Sequence, residues 1–243
     1  MSFSIVVLWL IVVYFAVGEP FLGIRMYRRL MSGQMTRMSF YRKIVLMEWC
    51  LAAIVCIAFA VGGIPLKLLY TFPIGMGSSH GMSEAWLAGI VVGSLAGGIG
   101  FAFQSRRQRQ SFAYRRWMRP QVDGFAALLP QSRRERLSFI FLCITAGICE
   151  EILFRGMPMY LLHNQISGIT MAEIVVVTSV VFGAAHAYQG WRGILAAAVF
   201  GAVLMFGYAQ IGTLWVLIII HTIIDLRALL LPANSTAEIP YGT

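Results

Sequence analysis

LSFIFLCITAGICEEILFRGMPMYLL, residues 137–162, is apolar over more than the roughly 20 residues a spanning helix needs, yet Glu150, Glu151 and Arg155 sit inside it. Each ionised side chain at the centre of such a helix costs about 2.5 to 3.5 kcal/mol on insertion scales. Three of them cost on the order of 8 to 10 kcal/mol unless they pair or face a wet cavity. Glu151 and Arg155 are four apart, hence nearly stacked on one helix face, where charge-assisted hydrogen bonds neutralise both. Glu150 points about 100° away from Glu151. The stretch reads as a membrane helix with a structural ion pair and one further carboxylate turned to its neighbours.

Composition extends this reading to the rest of the chain. With 243 residues, 59% hydrophobic and only 12% charged, and a positive mean hydropathy, it lacks the polar surface of a soluble domain. Apolar runs lie at about 5–17, 44–63, 84–103, 137–162, 171–188, 193–208 and 213–231. They predict an all-α, polytopic transmembrane bundle of about seven spans. The first run has neither a charged n-region nor a small-residue cleavage site, so a retained anchor is expected rather than a signal peptide. The net charge of +9 does not point to nucleic acid, because the arginines cluster between apolar runs and no RNA- or DNA-binding motif interrupts them.

The charge is instead a topology signal. Arg25, Arg28, Arg29, Arg37, Arg42 and Lys43 fall between the first two runs, and a second basic cluster extends from Arg106 to Arg136. Both loops are expected in the cytoplasm, which puts the N-terminus outside and the C-terminus, after Arg227, inside. The mixed segment 21–41 suits a helix on the anionic inner leaflet or an ordinary basic loop. Residues 64–83, rich in Gly, Pro and Ser, predict an external loop with His80 as a solvated histidine. Pro120 and Pro130 flank 125–129, expected to be a turn or short helix entering the fourth span. Glu48, near the end of the second run, is expected to snorkel or to pair with Lys43. Glu84 and Glu173 are expected at helix N-termini, where the dipole favours acids, and His163 at the interface.

Polar residues recur in the later runs with the same spacing. Phe182 and His186 are four apart in the fifth, His221 and Asp225 four apart in the seventh. At 1.5 Å per residue, Glu150, His186, His221 and Asp225 lie about 16, 22, 12 and 18 Å from the external helix ends, so they can meet in one layer. That layer lies between the bilayer centre and its inner side and is most easily wetted from the cytoplasm. A single membrane histidine commonly glues helices together. Two at one depth with a carboxylate point instead to acid–base chemistry. Cys149, beside Glu150, invites a cysteine-protease reading with His186 as base. A thiol in hydrocarbon is a poor thiolate source, however, and packing accounts for Cys50, Cys56, Cys143 and Cys149 alike.

Taken together, Glu150-Glu151-x-x-x-Arg155, Phe182-x-x-x-His186 and His221-x-x-x-Asp225, in this order and in separate spans, resemble the CAAX protease and bacteriocin-processing family of intramembrane peptidases, also called the ABI family. The likeness covers about 138–231 and includes Gly212-Thr213-Leu214-Trp215 ahead of His221. It implies a catalytic helical core over 137–231, while the apolar runs and the arginine distribution give N-terminal membrane helices with basic cytoplasmic loops over 1–136 and a short cytoplasmic tail over 232–243, in an expected bacterial cell membrane. It also implies hydrolysis of a membrane-associated peptide or protein within the lipid bilayer. Glu150 and His186 activate water, His221 polarises the scissile carbonyl with help from Asp225, and Glu151, Arg155 and Phe182 support them. The eukaryotic branch carries Asn at the last motif position. An ionised Asp225 cannot donate to an oxyanion, so it is either protonated or, the favoured reading, orients and charges His221.

Glu150, His186 and His221 also form a His2Glu set, the ligand chemistry of many zinc peptidases. The cofactor is therefore either none or a divalent metal such as zinc. The alternative function is a non-catalytic bacteriocin self-immunity or binding protein on the same scaffold, although a pure binder has no reason to keep Glu150, His186 and His221 together. Transport finds no support in repeated halves or paired broken helices.

Overall fold

The computed structural model describes residues 2–71, 99–100 and 124–230. Among them every regular element is helical, and the one strand-like feature is an isolated antiparallel bridge between Thr71 and Thr213. Helix α1 runs Phe3–Met31, α2 Arg37–Val61 and α3 Arg133–Gln165. They are followed by α4 at Met171–Ala185, α5 at Gly190–Ile211 and α6 at Leu214–Leu226. Among the described residues four helices are long and apolar enough to cross a membrane: α1, α2, α3, and α5 with its lead-in from Ala187. The fifth and seventh expected spans correspond to shorter helices, 15 residues in α4 and 13 in α6. The third, 84–103, lies outside the described residues apart from Ile99 and Gly100, as do His80, Glu84 and the basic stretch from Arg106 to Arg119.

Local chemistry sets the helix ends. Ser132 and Glu135 form a reciprocal capping box at the start of α3, and Thr170 and Glu173 do the same for α4, which is the N-terminal role expected of Glu173. α5 stops at Gly212, whose φ of 78° is left-handed, and Thr213 then caps α6. Residues 126–128 make a 3₁₀ turn before α3. It is clamped from the start of α2, where Arg37 Nε donates to Ala127 O at 2.8 Å and the Tyr41 hydroxyl donates to Leu128 O.

The first helix is longer than its apolar run: it continues unbroken through the segment expected to lie on the leaflet, as far as Met31. It does so through a widened π turn at Tyr14–Gly18, directly before Pro20. A second π turn, Ile152–Gly156, stands directly before Pro158 in α3. Proline removes one ladder hydrogen bond and presses on the carbonyl four residues back, and opening the preceding turn relieves both. Gly18-Glu19-Pro20 and Gly156-Met157-Pro158 are thus the same device used twice. The two turns pack on each other, with the Phe15 and Phe154 rings 4.4 Å apart.

The core joins the N-terminal helices to the motif-bearing half. Leu8, Val55, Phe59, Leu153, Phe182 and Ala197 belong to one buried cluster that draws on α1 to α5. Trp49 Nε1 donates to Thr145 Oγ1 at 3.2 Å and ties α2 to α3. Close approach is set by small residues. A Cβ on Gly147 of α3 would stand 2.1 Å from Thr222 Oγ1 of α6, and one on Gly183 of α4 would stand 2.8 Å from Ile194 O of α5. Gly147 lies one turn before Glu150 and Glu151, and Thr222 directly follows His221, so this contact brings the first and last motifs face to face.

Candidate active site

Glu151 is the pivot of the site. Its Oε1 lies 3.0 Å from Arg155 Nη1, the ion pair expected from the spacing, and both side chains are fully buried. Arg155 Cζ also lies 4.4 Å above the centroid of the Phe182 ring, so Phe182 supports the cation as well as sharing a turn with His186. The same Glu151 oxygen contacts His221 Nδ1 at 2.7 Å. A carboxylate can only accept, so Nδ1 carries the proton. The contact that orients His221 is therefore made by Glu151, rather than by Asp225 as the i, i+4 spacing implied.

Asp225 and Glu150 occupy the other edge of the same ring. Asp225 Oδ2 and Glu150 Oε2 each lie 3.7 Å from His221 Nε2. These gaps exceed the roughly 2.7–3.2 Å of a direct hydrogen bond, so both contacts are electrostatic rather than hydrogen-bonded. Glu150 and Asp225 keep 16% and 33% of their side-chain surface exposed, against 3% for His221, although Glu150 Oε2 itself is buried and without a hydrogen-bond partner. His221 is walled by the Phe200 ring at 5.2 Å and the Phe182 ring at 6.3 Å.

His186 ends α4 and is held differently. Its Nδ1 lies 2.9 Å from Phe182 O, a carbonyl that can only accept, so Nδ1 is protonated and Nε2 offers its lone pair. Its ring stands 4.6 Å from Phe182, and it lies within electrostatic reach of Asp225 and His221. The Phe182 ring is thus a neighbour of both histidines. Glu150, Glu151, His221 and Asp225 meet at hydrogen-bonding or near-hydrogen-bonding distance, while His186 borders the group.

Two carboxylates from the N-terminal helices join the same region. Glu48 does not snorkel to an interface: it is 7% exposed, its Oε2 makes no hydrogen bond, and it lies within electrostatic reach of Glu150, Asp225 and Glu19. Glu19 follows the first π turn, accepts a hydrogen bond from the Tyr14 hydroxyl at 2.5 Å and lies within electrostatic reach of Glu150. The signals in the sequence were a lone carboxylate inside the second apolar run and the Gly-x-Pro break after the first. Cys149 is buried among Leu153, Val55 and other core residues, in agreement with the packing reading, and His163 is exposed at the end of α3. An apolar pocket lined by Trp9, Phe15, Phe154, Met157, Thr178 and Val181 holds none of these carboxylates.

Among the described residues no group of three or more His, Cys, Asp or Glu side chains is arranged to hold a metal ion.

Fold and site together define a class: an integral membrane protein of apolar helices with a buried carboxylate–imidazole group held between α3 and α6. Residues 133–227 match the family model for type II CAAX prenyl endopeptidases of the Rce1-like kind, so the segment with all three motifs is similar to a family of membrane endopeptidases. Comparison with curated proteins and with solved structures gives no match.

Proposed function

We propose that the protein is an intramembrane endopeptidase that hydrolyses a peptide bond of a membrane-associated peptide or protein. The observation that carries this reading is the convergence on His221, with Glu151 on one ring nitrogen and both Glu150 and Asp225 3.7 Å from the other. Glu150 is the general base: it takes a proton from a water molecule that attacks the scissile carbonyl carbon, with the free Nε2 of His186 as a second acceptor at the edge of the site. His221 Nε2 donates to the developing oxyanion. Glu151 fixes the ring for that task, and the Asp225 carboxylate complements the positive charge the ring carries while donating. One such preorganised donor is worth about 2.7–4 kcal/mol at the transition state. The proton held by Glu150 then passes to the leaving amine, which completes hydrolysis. Arg155, Phe182 and Glu151 are positioning residues.

In the same reading the N-terminus is outside, the C-terminus is cytoplasmic and seven helices span a bacterial membrane. The distribution of arginines supports that orientation. The experiment is peptide profiling of membrane fractions from the native host carrying wild type, Glu150→Ala or His186→Ala at equal expression. Both variants are expected to lose processing of the same peptides, by about 10²-fold or more. Unchanged processing in both removes the reading. Purified wild type is expected to keep its activity after chelation, and activity lost with a stoichiometric metal would reassign the water to a metal ion.

A further inference from the structure

His186 is followed by Ala187-Tyr188-Gln189-Gly190, a tight turn that joins α4 to α5. Gln189 N donates to His186 O at 3.0 Å and closes the turn. Gly190, with φ of 78° and ψ of 180°, then redirects the chain in a conformation that essentially only glycine adopts. The backbone at Gly124 lies against the turn, where a Cβ would stand 2.5 Å from Gln189 O. Tyr188 is therefore presented by a segment with little freedom of its own.

An aromatic residue at the end of a span ordinarily anchors the membrane interface. Trp191, 69% exposed at the start of α5, fits that role, and Tyr188 does not. Its ring packs against the protein, 6.1 Å from the His186 ring at an interplanar angle of 30° and 5.6 Å from the ring of Tyr27. Its hydroxyl accepts a hydrogen bond from Gln189 Nε2 at 2.9 Å. The backbone of α1 approaches it as well, since a Cβ on Gly23 would stand 3.6 Å from Tyr188 Cδ1, an ordinary van der Waals contact. Gly23 and Tyr27 are four apart on one face of α1 and lie beyond Pro20, so the π turn that carries α1 on to Met31 is what delivers them.

His186 has need of such support. One ring nitrogen is fixed by Phe182 O at 2.9 Å, and the Phe182 ring lies at 4.6 Å. The backbone has already left helical geometry here, with φ −91° and ψ 16°, so a continuing helix does not hold the residue. A second ring beside the imidazole, itself anchored by Gln189, Tyr27 and Gly23, restricts the directions in which Nε2 presents its lone pair.

We propose that Tyr188 is a positioning residue for His186, held in turn by Gly23 and Tyr27 of α1, a helix outside the matched segment 133–227. The inference rests on the endopeptidase reading, in which His186 Nε2 is the second acceptor for the proton of the attacking water, and deepens it by naming what aims that nitrogen.

The test uses the full chain in nanodiscs and one peptide that wild type cleaves, drawn from a synthetic library and read by mass spectrometry. Tyr188→Leu is expected to lower kcat by about 10- to 10²-fold with KM within about twofold, the signature of a misaimed group rather than of lost binding. Tyr188→Phe, which keeps the ring, restores most of that loss. In a His186→Gln background Tyr188→Leu costs no more than about twofold, because the group it aims is already gone. Gly23→Leu, which crowds the ring from α1, repeats the fall in kcat. Should Tyr188→Leu fail to fold, Tyr188→Met, which fills the space without a ring, is read in the same two backgrounds. Equal losses in the wild-type and His186→Gln backgrounds, or Tyr188→Leu and Gly23→Leu chains that cleave like wild type, overturn the positioning role and leave the endopeptidase reading standing. No cleavage of any library peptide by wild type removes the endopeptidase reading, and the positioning role with it.

Discussion

Glu151 carries two contacts on a single oxygen, one to Arg155 and one to His221, and this makes it the residue on which the site's stability and its geometry both depend. Neutralising it in Glu151→Gln leaves Arg155 as an uncompensated buried cation, a change that costs about 3–5 kcal/mol in comparable pairs. Pairing it with Arg155→Met removes the stranded charge. The double variant is therefore expected to unfold at a higher denaturant concentration than Glu151→Gln alone, while remaining inactive because His221 has lost its orienting partner. A double variant no more stable than the single would show that the ion pair is not what holds this part of α3. The Glu-Glu-x-x-x-Arg signature was legible because three charges in hydrocarbon have few physical excuses. Glu48 was not, because the second apolar run begins at residue 44 and so places Glu48 near a helix end. The helix in fact begins at Arg37, with Arg42 and Lys43 already inside it, which sets Glu48 deep in the bundle.

At the scale of elements, the site depends on how closely α3 and α6 approach. A methyl group on Gly147 would meet Thr222 Oγ1 at 2.1 Å and Ile218 O at 3.1 Å, so Gly147→Ala forces the helices apart where Glu150 and Glu151 face His221. Overpacking of this kind costs typically about 1–3 kcal/mol. Gly147→Ala is expected to lower both thermal stability and peptide cleavage, and Thr222→Ala, by removing the hydroxyl, is expected to restore part of each. No recovery in the double variant would mean that this contact does not set the helix spacing. The helices were legible from their apolar runs, and Glu173 from its place at a helix N-terminus; the reciprocal caps Ser132–Glu135 and Thr170–Glu173 came from the structure. The two π turns were not anticipated: proline reads as a break, yet Pro20 and Pro158 each follow a widened turn inside a continuous helix. His186 was expected one turn along a continuing helix, but it is the residue that caps α4 just after Ala185, and its backbone leaves helical geometry there.

At the scale of the whole molecule, the family match covers 133–227, but the polar region it contains is completed from outside that segment. α1 and α2 share a buried cluster with α3, α4 and α5 and bring Glu19 and Glu48 to the motif-bearing helices. Depth along the spans was enough to foresee that Glu150, His221 and Asp225 share a layer. It could not foresee that the Phe182 ring lies 4.6 Å from His186 and 6.3 Å from His221, since helix rotation is fixed by packing rather than by period. The central claim is that groups from separate helices act as one unit on one water molecule, and residues of such a unit are strongly non-additive. The most direct measurement is therefore kcat/KM for peptide cleavage by purified wild type, Glu150→Gln, His221→Asn and the double variant. Each single variant is expected to lose about 10²- to 10⁴-fold, with the double no worse than the poorer single. Losses that multiply in the double variant, or singles that cleave like wild type, would contradict it.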